Sequence, residues 1–222
     1  MSTGDESLAP VPDLRLRAEF IRGHFQSKPS WQPEIISDRM RAVDALLIPA
    51  AVLVPLVETA NGELSMLLTQ RTERLKKHSG QIAFPGGKVD PEDRDPVDAA
   101  LREAFEEVGL ERKLFEVLGT MPIYETGTGF AITPVVALIQ DGFSMSLSEQ
   151  EVAEAFTVPL SFLMNPRFHQ RRSFEWENRS REFYAMPYAG VRHTEEGPQD
   201  AEYFIWGATA AMIRNLYRFL SV

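Results

Sequence analysis

Three glutamates in a short acidic stretch have the types and spacing needed to hold a divalent cation. Glu103, Glu106 and Glu107 lie within five residues of one another, and on an α-helix their side chains gather on one side. Glu103 and Glu107 form a like-charge pair four residues apart, which costs an isolated helix about 0.2–0.5 kcal/mol. Mg²⁺ or Mn²⁺ would offset that repulsion, because both ions prefer carboxylate oxygens. The alternative is an acidic helix face that is simply solvated.

The helix that carries these glutamates is marked at both ends. Asp95 can cap its start, Pro96 suits the first helical position, and Gly109 can close its end. At helical spacing the apolar positions form one stripe, made of Val97, Leu101, Ala104, Phe105 and Val108. The pattern predicts a helix whose apolar stripe packs on a sheet while the glutamates face away from it.

The segment from Arg102 to Leu110 matches the second half of the Nudix box, Arg-Glu-U-x-Glu-Glu-x-Gly-U with U apolar, at every specified position. The chain resembles a Nudix hydrolase. The resemblance implies hydrolysis of a nucleoside diphosphate linked to another moiety, with two or more Mg²⁺ or Mn²⁺ ions on the diphosphate. It implies Glu106 and Glu107 as metal ligands, Glu103 as a metal ligand or the residue that orients the attacking water, and Arg102 as the residue that holds these carboxylates.

The first half of the box departs from the family spacing. The family has a Gly fourteen residues before the Arg and a Glu eight residues before it, but Lys88 and Arg94 occupy those places. We interpret the departure as a loop that is one residue longer, with Gly87 in the place of the family glycine. Four acids can replace the missing Glu, and the sequence does not choose among them: Asp90, Glu92, Asp93 and Asp95.

A second signature directly precedes the box. The segment from Leu67 to Gly87 reads Leu-Leu-Thr-Gln-Arg-Thr, a basic-rich loop, then Gly-Gln-Ile-Ala-Phe-Pro-Gly-Gly, and it resembles the coenzyme A pyrophosphatase branch of the Nudix family. Arginine and lysine bind phosphates by charge and hydrogen bonding, so we predict a substrate-binding basic cluster. Its members are Arg71, Arg74, Lys76 and Lys77. The alternative is a solvated turn between strands.

The paired glycines at the end of this segment permit close backbone approaches. We predict that Gly86 contributes to substrate binding and that the Gly87 carbonyl faces the metal. The branch resemblance implies that coenzyme A or a derivative is cleaved to 3′,5′-ADP and 4′-phosphopantetheine. The rivals are another Nudix substrate, such as ADP-ribose, NADH or a dinucleoside polyphosphate, and a non-catalytic nucleotide-binding regulatory module.

A general base and a pantetheine channel are less clearly marked. Many Nudix enzymes use an acid on a later loop, for which Glu149, Glu151 and Glu154 are candidates; the capping-box spacing of Ser148 and Glu151 favours a structural role for Glu151. Aromatic candidates for channel walls are Phe130, Phe168, Phe174, Trp176, Tyr184 and Tyr188, although core packing is the stronger interpretation of each.

Composition excludes several classes of function. A net charge of −9 over 222 residues disfavours general binding to nucleic acid or to anionic membranes. The absence of cysteine excludes disulfides, thiolate ligands and a cysteine nucleophile. The start of the chain lacks a secretory signal pattern, and no apolar run is long enough to span a bilayer comfortably. We therefore expect a cytoplasmic enzyme whose partner is a small molecule.

The remaining pattern predicts an α/β protein with the Nudix α/β/α sandwich around a mixed β-sheet. We divide the chain into residues 1–38, a tail and an amphipathic helix (Asp13 to Phe25) that packs on the core or on a partner in a homodimer, and residues 39–222, the Nudix hydrolase domain. Strands are predicted at 45–57, 64–70, 81–84, 116–124, 130–139, 168–176 and 183–186, with a helix near 159–164 and a closing helix over 205–214.

Overall fold

Runs of three or four strands are separated by helices in this computed structural model, which describes residues 4–38, 46–73, 80–176, 179–194 and 196–222. The helices of the described part are α1 (Ala18–Ser27), α2 (Pro96–Val108), α3 (Leu160–Leu163) and α4 (Gly207–Leu220). Its strands are β1 (Ile48–Glu58), β2 (Leu64–Arg71), β3 (Ile82–Ala83), β4 (Gly86–Lys88), β5 (Glu116–Thr120), β6 (Tyr124–Glu125), β7 (Phe130–Gln140), β8 (Val152–Pro159), β9 (Gln170–Trp176), β10 (Arg179–Thr194) and β11 (Gly197–Trp206).

The main sheet is mixed, as predicted. Its central strands β1 and β7 run parallel, whereas β2, β4, β5, β6 and β8 join their neighbours antiparallel. The path through the sheet is β3-β2-β1-β7-β5. Outside this path, β4 pairs with β1, β6 pairs with β7, and β8 pairs with β2. Parallel neighbours need a long crossover connection, and the segment between β1 and β7 includes α2.

Side chains of the two central strands alternate between two apolar layers, which makes the sandwich. On one face Ala51, Leu53 and Val135 pack with Ala100 and Ala104 of α2. The opposite face packs against α1 and α4 through a separate cluster that includes Val54, Leu56, Val136, Ile21 and Ile213. This alternation follows from the period of two along a strand, and it confirms the α/β/α arrangement.

Helix α2 begins and ends where its sequence predicts. The Asp95 side chain accepts a hydrogen bond from the Asp98 N–H at 2.8 Å, and Pro96 is the first helical residue. Gly109 follows the helix with a φ of 72°, a left-handed conformation that favours glycine, and its N–H donates to the Phe105 carbonyl.

A second, antiparallel sheet has the order β11-β10-β9, and it is larger than the sequence predicted. The sequence predicted only a short strand over 183–186, whereas β10 extends from Arg179 to Thr194. The first six residues of β11 are exposed or half-buried, and its buried residues are confined to Tyr203 and Ile205. The apolar alternation that marks a half-buried strand is therefore missing from much of this sheet.

Three helix predictions need correction. The predicted helix from Asp13 is a 3₁₀ turn that ends at Leu16, followed by α1, and Leu14 is exposed rather than packed. The predicted closing helix starts two residues later, at Gly207, because the preceding residues complete β11. The capping-box spacing at Ser148 precedes a turn and then β8, so no helix starts there. The division at residue 38 stays a prediction, since residues 39–45 lie outside the described part.

Candidate active site

Helix α2 turns one of its glutamates into the protein. Glu107 is only 2% exposed, whereas Phe105, which the apolar stripe placed inside, is 55% exposed. The prediction for Phe105 was wrong because the buried arc is centred on Ala104 and includes Ala100 and Glu107. A buried carboxylate needs polar partners, and those partners come from the main sheet.

The partners of Glu107 belong to both predicted signatures. One carboxylate oxygen accepts a hydrogen bond from the Gly86 N–H at 3.2 Å, and the other lies 3.6 Å from a terminal nitrogen of Arg71. Burial raises the pKa of Glu107 to about 7, although Arg71 and the Gly86 N–H oppose the rise. The site thus holds a carboxyl group that needs positive charge to ionise fully.

The Glu103 carboxylate lies directly over Gly87. A methyl group on Gly87 would overlap the carboxylate oxygens of Glu103, so glycine is required for this approach. Burial also raises the pKa of Glu103, against the hydrogen bond from Arg102. The third glutamate, Glu106, lies on the solvent side of the helix with a side chain that is 53% exposed.

Arg102 connects these glutamates to the loop that precedes α2. Its guanidinium lies 3.0 Å from one oxygen of Glu103 and 3.0 Å from one oxygen of Glu106, and it donates to the Lys88 carbonyl at 3.1 Å. The hydrogen bond to Asp93 is the main reason that the pKa of Arg102 is raised. These contacts join both carboxylates to one guanidinium, and the positioning role that the resemblance implies for Arg102 stays a prediction.

Asp93 is the acid that meets Arg102. Its two oxygens accept from Arg102 at 3.0 and 2.9 Å, while Asp90 lies 3.5 Å from the same guanidinium and Asp95 caps α2. Gly87 and Asp93 are six residues apart, as the Gly and the first Glu of the family pattern are. The additional residue therefore lies between Asp93 and Arg102, where the helix starts, and not in the loop after Gly87.

The oxygen donors suit a hard divalent cation. Glu103, Glu106 and Glu107 share one end of α2, with the Gly86–Gly87 backbone of β4 beside two of them. Within the described ranges, no three Asp, Glu, His or Cys side chains are gathered as a ready-made metal cluster. Arg102 lies between Glu103 and Glu106, so a cation that binds all three would displace part of this ion pairing.

A cavity of about 1290 Å³ adjoins the other side of β4. Ala50, Val52 and Ile132, on the α4 face of the main sheet, line it, as do Arg71 and Gly86. Glu103, Glu106 and Glu107 do not line it. Because Gly86 and Gly87 lack side chains, only backbone separates the carboxylates from the cavity at this point.

Three cations of the described part reach this cavity: Arg71, Lys88 and Arg171. Arg71 lines it, and its buried Nε has no hydrogen-bond partner among the described residues. Lys88 lines it as well, because its cross-strand partner Ala50 is on the cavity face of β1. Sequence reasoning missed Lys88, although its place next to the glycine pair was a usable signal. The other three predicted cations, Arg74, Lys76 and Lys77, lie outside the described residues.

The aromatic candidates for channel walls divide into two groups. Phe130 and Tyr184 line the large cavity. Phe168 and Tyr188 instead line a separate cavity of about 700 Å³ near α3. The side chains of Phe174 and Trp176 lie outside the described part. A further wall of the large cavity, which the sequence did not indicate, comes from residues 34–38.

The three later acids differ in their surroundings. Glu154 is bonded to Arg192 at 2.7 Å and to the Tyr203 hydroxyl at 2.6 Å, while Glu149 is exposed. Glu151 is the member of this group whose charge raises the pKa of both Glu103 and Glu107. Ser148 and Glu151 form a turn rather than a capping box, and Glu151 is exposed, so its structural or catalytic role stays a prediction.

The geometry can be set beside known proteins. The chain matches the NUDIX domain family over residues 47–185, which is more than half of its length. The chain belongs to the Nudix family. This Nudix protein is 42% identical over 168 residues to the uncharacterized Nudix hydrolase NudL of Citrobacter koseri, covering 75% of this chain and 80% of the relative. The NudL of Yersinia enterocolitica is 38% identical over 174 residues, covering 78% and 82%.

The chain also aligns with parts of solved structures. A C. elegans Ap4A hydrolase aligns at 25% identity with a TM-score of 0.43, covering 51% of this Nudix chain and 81% of that chain. The NUDIX domain of Shewanella oneidensis NrtR, crystallised with ADP ribose, aligns at 20% identity with a TM-score of 0.41, covering 54% and 77%. Hydrolysis of a pyrophosphate-type substrate with divalent metals such as Mg²⁺ or Mn²⁺ is general for Nudix hydrolases. In the described part of the chain, every helix is too short or too polar to cross a lipid bilayer.

Proposed function

We propose that this Nudix hydrolase cleaves the diphosphate bond of coenzyme A or its derivatives, giving 3′,5′-ADP and 4′-phosphopantetheine or its acyl form. The observation that carries the proposal is the position of Arg71. It contacts the buried Glu107 of the Nudix box while it lines the large cavity, and it belongs to the segment that resembles the coenzyme A branch. One side chain therefore links the proposed metal ligands to the space for substrate.

The proposed metal ligands are Glu103, Glu106, Glu107 and the Gly87 carbonyl, which offer the hard oxygen donors that Mg²⁺ and Mn²⁺ prefer. When bound, such a metal neutralises charge on the diphosphate and lowers the pKa of the attacking water. The raised pKa of Glu107 favours this assignment, because a nearby cation would stabilise its ionised form.

The other residues bind and position the substrate. The planar, positively charged guanidinium of Arg71 suits two-point contact with a phosphate. Lys88 adds a second positive charge in the same cavity. Gly86 allows close approach of the backbone to the diphosphate. Arg102 positions Glu103 and Glu106 through its contacts with their carboxylates. Arg74, Lys76 and Lys77 are retained as proposed substrate contacts on the strength of the sequence alone.

The size of the cavity supports a substrate with a long second moiety. At about 1290 Å³ it exceeds the usual range of about 300–1,000 Å³ for small-molecule sites. Its walls combine cations near β4 with apolar and aromatic side chains such as Phe130 and Tyr184. Coenzyme A has both a diphosphate and a long arm of low polarity, so its chemistry matches this combination.

The deciding experiment is a panel of diphosphates incubated with the full chain and Mg²⁺ or Mn²⁺, with products identified by mass. We expect 3′,5′-ADP and 4′-phosphopantetheine from coenzyme A, at a higher kcat/KM than for ADP-ribose, NADH or a dinucleoside polyphosphate. Preferred cleavage of one of those rivals would overturn the coenzyme A proposal and leave Nudix chemistry intact. A ligand-induced thermal shift without turnover on any diphosphate would instead support a regulatory nucleotide-binding module.

A cytoplasmic location and a possible homodimer complete the proposal. Both come from the sequence. Chromatography with light scattering would measure the oligomeric state directly.

A further inference from the structure

A segment outside the matched Nudix domain forms part of the cavity wall. Residues 34–38, called the strap here, precede the matched range 47–185, yet Glu34, Ile35, Ser37 and Asp38 line the cavity. Helix α4, which follows the matched range, lines it too, through residues 207–209 and 211–212. The pocket is thus completed by chain on both sides of the family domain.

Helix α4 holds one end of the strap. Asn215, which is 3% exposed, accepts from the backbone N–H groups of Glu34 and Ile35 at 2.9 and 3.1 Å and donates to the Ile35 carbonyl at 2.5 Å. The buried Arg214 donates to the Glu34 carboxylate at 2.9 Å. A buried amide whose donor and acceptor both serve one short backbone segment fixes that segment in place.

Strand β6 holds the other end. The Glu125 N–H donates to the Ile36 carbonyl at 2.9 Å, and the Asp38 N–H donates to the Glu125 carbonyl at 3.0 Å. The Asp38 side chain also accepts from the Gly127 N–H. Since both ends are hydrogen-bonded, the strap is a preformed wall, and a substrate loses little free energy in ordering it.

The charge of the strap is opposite to that of the β4 end. Glu34 and Asp38 contribute carboxylates to the wall, whereas Arg71 and Lys88 contribute cations. Burial opposes ionisation of Glu34, but hydrogen bonds from Arg214 and Tyr184 hold its pKa below the ordinary value. Arg214, Arg218 and Arg171 lie 2.9, 3.5 and 3.6 Å from the Glu34 carboxylate and offset its negative charge, and Arg171 also lines the cavity.

We propose that the strap is a specificity-determining wall for the part of the substrate remote from the nucleotide, and that the Asp38 carboxylate favours an uncharged tail over an anionic one. This inference rests on the proposed coenzyme A activity and deepens it. The cations near β4 receive the phosphates, and Asp38 disfavours a further negative charge beside it. The same arrangement directs the pantetheine arm, rather than the 3′-phosphate, towards the strap.

The test compares two acyl-coenzyme A esters that differ in the charge of the tail. We expect wild-type kcat/KM for acetyl-coenzyme A to exceed that for succinyl-coenzyme A about fivefold, as a single like-charge interaction in a wet cavity would give. Asp38→Asn keeps the acceptor for the Gly127 N–H and removes the charge, so this ratio falls towards one through a lower KM for the succinyl ester. Ser37→Asp adds a charge to the strap and raises the ratio.

The matched control is Asp141→Asn, which makes the same change in net charge at an exposed position after β7, outside the cavity. It keeps the wild-type ratio. Equal wild-type efficiency on both esters, or a ratio that neither strap variant changes, overturns the specificity role while the coenzyme A activity stands. If the folded wild-type protein hydrolyses neither ester nor coenzyme A, the proposed function fails and this inference fails with it.

Discussion

Arg102 and Asp93 form a two-point ion pair, with Nε and a terminal nitrogen of the arginine 3.0 and 2.9 Å from the two carboxylate oxygens. The Asp93 side chain is only 4% exposed, so water competes little for it. The same guanidinium contacts Glu103 and Glu106. A loop residue therefore determines where two of the proposed metal ligands stand, and paired forks of this kind fix orientation as well as distance.

Asp93→Asn should weaken metal-dependent hydrolysis while the protein stays folded. The asparagine replaces one charged acceptor with a donor, so Arg102 loses its two-point ion pair. The guanidinium then no longer holds Glu103 and Glu106 in position. Changes to residues that support metal ligands typically cost about 10–100-fold in metal affinity or activity. A titration of activity with Mg²⁺ measures this. Asp95→Asn is the matched control, because asparagine caps a helix as well as aspartate does; equal losses in the two variants would contradict the role of Asp93.

Glu106→Gln and Glu107→Gln should each reduce Mg²⁺-dependent turnover by at least about 100-fold, because a neutral amide binds a divalent cation poorly. Isothermal titration with Mn²⁺ would show the loss of binding directly. Glu63→Gln, at an exposed position between β1 and β2, serves as the control. Full metal-dependent activity in a folded Glu106 or Glu107 variant would remove that residue from the ligand set.

The two glycines of β4 should respond differently to alanine. At Gly86 a methyl group would collide with the backbone of Ala51 and Val52, which cannot move freely, so Gly86→Ala should destabilise the protein by about 1–3 kcal/mol. At Gly87 the methyl group would meet only the Glu103 side chain, which can rotate away. Gly87→Ala should therefore keep most of the thermal stability and lose activity. Thermal melts combined with kinetics separate the two effects, and the reverse pattern would refute this account.

Variants of Glu151 and Glu154 should affect different properties of the protein. Glu151→Gln should lower kcat by about 10²-fold or more if this residue is the general base. Glu154→Gln should mainly lower stability, because it weakens the contacts with Arg192 and Tyr203. The measurements are kcat at saturating substrate and metal, and the free energy of unfolding. A normal kcat for Glu151→Gln would exclude Glu151 as the base.

Acid should destabilise the protein through His169. Its Nε2 lies 2.7 Å from the Leu163 carbonyl and its Nδ1 lies 3.2 Å from Arg214, so the neutral ring donates at Nε2 and accepts at Nδ1. Burial lowers the pKa of His169 to about 4, below the ordinary value of 6.5. Protonation thus favours the unfolded chain, and the contribution is present above pH 6.5 and is lost as pH falls towards 4.

The size of this effect follows from the two pKa values. Between about pH 7.5 and pH 5, the wild-type free energy of unfolding should fall by about 2 kcal/mol more than that of His169→Gln. Glutamine offers one donor and one acceptor without titrating. Denaturant unfolding at the two pH values gives the comparison, and parallel losses in both proteins would show that His169 does not carry the acid sensitivity.

The sequence predicted the helix of the site well because its ends are local features. Asp95, Pro96 and Gly109 each act within one turn of α2. The orientation of α2 on the sheet is a tertiary property, and the apolar stripe predicted it incorrectly. The stripe placed Phe105 inside, whereas Glu107 is the buried residue because the Gly86 N–H and the Arg71 charge stabilise its carboxylate. An amphipathic pattern cannot register a buried carboxylate whose partners come from another strand.

The acid that replaces the first glutamate of the family pattern also could not be chosen from the sequence, because the choice depends on the three-dimensional structure. Asp90, Glu92, Asp93 and Asp95 are equivalent by composition, and only the distances to Arg102 distinguish them. The strap was missed for a related reason. Residues 34–38 carry no motif, and they gain their significance from Asn215, which lies about 180 positions further along the chain.

That long separation also bears on synthesis at the ribosome. The strap leaves the ribosome early, but the helix whose Asn215 fixes it is translated about 180 residues later. Domains generally begin to fold as they are made, from the N-terminus onward, so the Nudix core can assemble while this wall is still unanchored. A nascent chain cut before α4 would contain the acidic helix yet have an unfinished pocket, and emergence of α4 from the ribosome would be the event that completes it.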